Sequence, residues 1–212
     1  MSNIWLFLIF LLGSFVFLFT YWKRLKEDYA GVEIFTSGFY ILTGVGVFSL
    51  AFDLFLKNFL HDSLFFQDAG LWFWGGVVGA IAGFVVSVLR FKLKIFETLE
   101  AMGLGMLFLL LPFFVYEALK NQSIFSLIGS IILIGLISIF FFLEGRYRKF
   151  TWYKSGKVGF SGLSTLGLFF LLRTIVGLVF PFVFSFIGRI DSLISGSVSF
   201  ILFLLLYNLG EQ

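Results

Sequence analysis

The chain has no cysteine, which excludes disulfides, thiolate metal sites and a cysteine nucleophile within it. It has one histidine, His61, so a histidine-rich metal site or a relay between two histidines is excluded as well. Charge is scarce too. Asp, Glu, Lys and Arg make up 13% of the 212 residues, against roughly a quarter in a soluble domain. The small net charge of +3 gives no argument for nucleic acid as a partner.

What fills the chain instead is apolar. Hydrophobic residues account for 60%, aromatics for 22%, and Phe alone for 34 positions, with a mean hydropathy of +1.06. A spanning helix needs about 20 apolar residues, so the length holds six or seven crossings and no soluble domain. The expected class is all-α: a single integral membrane domain over residues 1–212, a polytopic bundle of about seven transmembrane helices.

The spans read in order as follows. Span one covers Asn3 to Trp22. Its basic residues follow the apolar run, the reverse of a cleaved signal peptide, so it is expected to be retained. Span two runs from Ile34 to Leu56, and Asp53 lies near its far end. Span three is Leu71 to Leu89. Span four begins near Ile95, and Pro112 is expected to divide its run because proline removes a helix hydrogen bond. Span five covers at least Ile124 to Leu143, with Phe113 as its earliest start. Span six starts at Val158 and contains Arg173, with Pro181 bending or ending it. Arg189 and Asp191 mark a short turn before span seven, Leu193 to Leu206.

Lys and Arg divide eleven to three between alternate loops. Basic loops stay on the cytoplasmic side, so the expected topology is N-terminus out and C-terminus in. At about 1.5 Å per residue, Asp53 and Arg173 then lie roughly 30 and 24 Å above the inner loops, in the outer half of the bilayer. Tyr116 and Glu117 fall at the same level. An intramembrane charge faces a partner or a wet cavity. The planar fork of an arginine suits a phosphate, while a pair with Asp53 or Glu117 would be its structural alternative. Glu97 and Glu100 read as structural residues near the basic turn, and Trp5, Trp22, Trp72, Trp74 and Trp152 as interfacial anchors. Gly75, Gly79 and Gly83, with Ser87 beyond them, form a flat strip that lets another helix backbone approach.

Several stretches resemble the bacterial prolipoprotein diacylglyceryl transferase family. Trp74-Gly75-Gly76-Val77 lies where the family has HGGL, followed by a basic turn at Arg90, Lys92 and Lys94, then Phe96 and Glu100. Pro112 to Leu119, with Tyr116 and Glu117, is similar to the family's HPxQLYEAL segment. Gly156 through Arg173 to Val176 is similar to its glycine-led sixth helix with the RFxVE arginine. The resemblance implies transfer of a diacylglyceryl group from phosphatidylglycerol to the lipobox cysteine of a prolipoprotein in a bacterial cytoplasmic membrane, without cofactor or metal. It implies a headgroup site at Arg173, Asp53, Gly75 and Gly76, and proton transfer assisted by Glu117 and Tyr116. The chain departs from the family in that Trp74 replaces the histidine, Gly177 replaces the RFxVE glutamate, and apolar residues from Met106 to Leu111 occupy the family's arginine–asparagine loop. The alternatives are a catalytically lapsed scaffold that binds lipid or a partner helix and, more distantly, a small transporter.

Overall fold

The computed structural model describes residues 2–59, 71–147, 150, 153, 159–179 and 189–211. The His61 loop, Pro181, Trp152, Lys154 and Lys157 lie outside the described residues. Seven helices follow in order: α1 (Ser2–Leu25), α2 (Gly31–Phe59), α3 (Leu71–Phe91), α4 (Ile95–Asn121), α5 (Ile124–Arg146), α6 (Phe160–Val179) and α7 (Arg189–Glu211). All seven are long and apolar enough to cross a membrane. No strand occurs among the described residues. The protein is a polytopic membrane helix bundle. Its surface fits lipid rather than water: Phe7, Phe15, Leu89, Ile131, Leu193 and Phe200, from four of the helices, are all exposed.

Helix α4 is the hub. It packs against α1, α3, α5 and α6 and buries Ala101, Met102, Leu104, Leu107, Leu109 and Phe114 among them. On one side these residues join Phe17, Tyr21 and Leu25 of α1 and Ile34 and Ile41 of α2. On the other they join Leu133, Leu136, Ile137 and Phe140 of α5. Contrary to the sequence expectation, Pro112 does not divide this helix, which is continuous from Ile95 to Asn121. Neighbouring helices in a membrane bundle can hold a proline-containing helix together and re-satisfy the freed backbone group. The chain turns instead at Gln122, whose φ of 48° is left-handed, and Ser123 caps α5 by accepting the N–H of Ser126. The fifth span therefore starts at Ile124 and not at Phe113.

The glycine strip of α3 packs on α2. A Cβ built on Gly79 would sit on the carbonyl oxygen of Gly44, and one on Gly44 would sit on that of Gly79. The two backbones touch where neither residue has a side chain, which is how small residues drive association in lipid.

Two ends of the bundle differ in charge. At one end Arg24, Arg90, Lys94, Glu97, Glu100, Glu144 and Arg146 gather where α1, α3 and α5 finish and α4 begins. This is the basic-loop end. At the opposite end, α3 and α7 begin and α6 finishes, and there the buried charges are Arg173 and Asp191.

Candidate functional site

At that opposite end, Phe73 and Trp74 lie in the first turn of α3, Asp191 in the first turn of α7, and Arg173 in the second-last turn of α6. Arg173 lies on the face of α6 that also buries Phe170 and Gly177. That spacing of three and four residues aims it into the bundle. Arg173 is 4% exposed and Asp191 0%. The Arg173 guanidinium donates to Asp191 Oδ1 from Nη2 at 2.8 Å and from Nε at 3.2 Å. The indole Nε1 of Trp74 donates to the same oxygen at 2.6 Å. Asp191 Oδ2 has no hydrogen-bond partner. Aromatic rings close the site: the guanidinium lies 3.7 Å from the centroid of Phe73, and Trp74 stacks on Phe170 at 5.9 Å. Three helices thus meet on one carboxylate oxygen. An acidic residue also suits the first turn of a helix, where the macrodipole is positive.

This geometry corrects three sequence expectations. Asp191 is not in a turn before the last span but inside α7, fully buried. Trp74 is not an interfacial anchor; it is 7% exposed and its N–H is used internally. Arg173 does have a structural partner, but among the described residues the carboxylate it pairs with is Asp191 and not Asp53 or Glu117. The reason is helix placement. Asp53 is carried by α2, which packs on α1 and α3 rather than on α6. Glu117 follows Phe114, the last buried residue of α4.

Of the remaining expected site residues, Asp53 lies on α2 and Tyr116 and Glu117 on α4, towards the same end of the bundle. Asp53, Tyr116 and Glu117 are each half-buried. Lys120 Nζ lies 5.5 Å from the Tyr116 ring centroid. Gly75 and Gly76 lie under α2 rather than open to a headgroup. A Cβ on Gly75 would lie 2.6 Å from the Phe48 carbonyl oxygen, and one on Gly76 would lie 2.8 Å from Ser49 Oγ. Trp5 and Trp72 are exposed as expected of anchors, while Trp22 packs into the α1–α2 core. Beside the ion pair, an apolar groove of about 510 Å³ runs between α6 and α7, lined by Thr174, Leu178, Leu193, Gly196, Phe200 and Ile201 among others.

The basic-loop end holds a second network. Arg24 bridges Glu144 and Glu100, the latter at 2.5 Å, and Ser161 of α6 also donates to Glu100. Glu100 is 2% exposed. Its structural role agrees with the sequence reading, but Arg24 as the bridge was not anticipated. Lys94, outside the spans, bonds Glu97 at 3.0 Å and Asp28 at 3.1 Å. Those bonds, Glu97 first, push its pKa upward. Among the described residues, no group of three or more His, Cys, Asp or Glu side chains is arranged to hold a metal ion.

Asp191 was legible as a partner in one respect. It follows Arg173 by eighteen residues, which places opposite charges near the facing ends of consecutive spans. Nothing in the sequence marks Trp74 as the third member.

No family model, curated protein or solved structure matches this chain.

Proposed function

We propose that the protein is a non-catalytic, lipid-binding membrane scaffold of the prolipoprotein diacylglyceryl transferase type. It lies in a bacterial cytoplasmic membrane with its N-terminus outside and its C-terminus inside. One observation carries the reading: Arg173, the cation expected to hold a phosphate, spends its charge on Asp191, and Trp74, at the position of the family's histidine, donates to the same oxygen. Transfer to a thiol needs donors aimed at the leaving glycerol phosphate and a base for the thiol proton. Here the cation is neutralised, and an indole cannot take a proton.

The residual function is binding. The groove between α6 and α7 takes an acyl chain, and phosphatidylglycerol is the lipid that the resemblance suggests. The apolar signal segment of a prolipoprotein is the protein partner that the resemblance suggests. The test is to incubate the purified chain with phosphatidylglycerol and a lipobox peptide. Phosphatidylglycerol is expected to co-purify, and thioether product to stay at the level of a no-protein control. Robust product that disappears in Glu117→Gln and Arg173→Ala would overturn the reading and establish an active transferase.

A further inference from the structure

A row of buried hydroxyls runs along the seam between α6 and α7, and the lipid reading does not use it. On α7, Asp191, Ser195 and Ser199 recur every fourth residue and so share one face, and all three are buried. On α6, Ser161, Ser164 and Gly167 recur every third residue and are buried as well. The two faces meet where Ser199 Oγ donates to the Gly167 carbonyl at 2.9 Å. One turn further along α7 the Phe203 ring packs against Gly167, and α6 carries the row on through Ser164. At its end Ser161 donates to Glu100 of α4, which lines a cavity of about 470 Å³ at the basic-loop end.

Small polar residues pack helices in lipid without any ligand, so the row alone is no site. Two of its members behave unlike the other serines. Ser130, Ser138 and Ser197 each donate to the carbonyl four residues back on their own helix, the ordinary local solution for a helical serine. Ser195, 0% exposed, and Ser164, 7% exposed, have no hydrogen-bond partner among the described residues. Asp191 Oδ2, one turn before Ser195 on the same face, has none either. A hydroxyl left unpaired in an apolar interior is costly. One turn is about 6 Å along the axis, a gap that one water spans with two hydrogen bonds of about 2.8 Å. Buried waters settle between polar groups that are otherwise unsatisfied, and Asp191 Oδ2 and Ser195 Oγ are such a pair.

We infer that the α6–α7 seam holds a file of water molecules which, together with these hydroxyls, carries protons between Asp191 and Glu100. The row covers about 20 Å at 1.5 Å per residue, most of the apolar thickness of a bilayer. A proton taken up on the Asp191 carboxylate, beside Arg173, passes to the first water. Each water or hydroxyl in turn accepts one proton and releases another. Glu100, held by Arg24 next to Glu144, delivers it to the cavity. Only O–H bonds break and form, nothing is oxidised, and one positive charge moves along the seam. Intramembrane polar groups of this kind are the usual material of proton relays. The relay does not rest on the lipid reading.

The full chain is reconstituted into phosphatidylcholine liposomes with a trapped pH dye, and a potassium gradient with valinomycin makes the interior negative. Interior acidification faster than in protein-free liposomes is expected. Ser195→Val and Ser164→Val, which remove a hydroxyl, should each slow it by about tenfold. Ser195→Thr and Ser164→Thr match valine in shape but keep the hydroxyl, and should retain most of the flux. Ser138→Val, at an exposed serine bonded to its own helix, should leave the rate unchanged. Acidification at the protein-free rate overturns the inference. Equal rates in all variants do the same, and so does a loss that is as large with threonine as with valine, since packing alone would then explain it.

Discussion

Asp191→Ala is the most informative perturbation of this molecule. The substitution leaves Arg173 at 4% exposure with no carboxylate and leaves the Trp74 N–H without its acceptor. Breaking a buried ion pair from one side costs about 3–5 kcal/mol, and the stranded indole adds about 1–3 kcal/mol. Because the indole and guanidinium share one oxygen, these contributions overlap, and we expect about 4 kcal/mol in total. Asp191→Asn keeps the acceptor and should cost less. The double variant Arg173→Leu/Asp191→Leu should cost about what the stranded Trp74 N–H costs, about 1–3 kcal/mol, since exchanging the buried ion pair itself for apolar residues is often neutral. With the single variants Arg173→Leu and Asp191→Leu added, reversible unfolding in mixed detergent micelles, followed by far-ultraviolet circular dichroism, measures all four corners of the cycle. A coupling above about 2 kcal/mol is expected. Single effects that add within about 0.5 kcal/mol, the behaviour of independent sites, would refute the pairing of Arg173 with Asp191 as the feature that joins α6 to α7.

Three further outcomes are expected. Gly79→Ala forces a methyl onto the Gly44 carbonyl and should destabilise the chain by about 1–3 kcal/mol in the same assay, whereas Gly135→Ala, which meets nothing, should not. In this cysteine-free chain, cysteine placed at Asn121 should label from outside intact cells, and cysteine at Asp28 only after permeabilisation; the reverse pattern would invert the proposed topology. The raised pKa of Lys94 means its stabilising contribution is complete below the unfolded value of about 10.4 and is lost as pH rises through the higher folded value. The stability difference between wild type and Lys94→Met should therefore be flat from neutral pH to about pH 10 and shrink above it, by little because this lysine is exposed.

The fold was largely legible because hydropathy is a local property. Each span is a run of apolar residues, and a membrane admits such a run only as a helix that satisfies its own backbone. The seven spans, their all-α class and the packing role of the α3 glycines follow from that. Helix ends were less legible where one residue had to be weighed against its surroundings. Pro112 reads as a break, but the helices packed around α4 hold it continuous.

The site was legible in depth and not in direction. Counting residues puts Arg173, Asp53, Tyr116 and Glu117 at one end, and the structure agrees. Which side chains meet depends on how each helix is rotated about its axis and which helix lies beside it. The sequence alone determined a bundle of about seven membrane spans with an intramembrane arginine that must face a partner or a wet cavity, because desolvating a charge is costly wherever it occurs. Only the tertiary structure decided that the partner is Asp191, with Trp74 as a third member. It likewise decided that Glu97 and Glu100 face a common cavity with Glu27 and Glu144. Both depend on contacts between helices distant in sequence, and the apolar pattern of a single span carries no information about them.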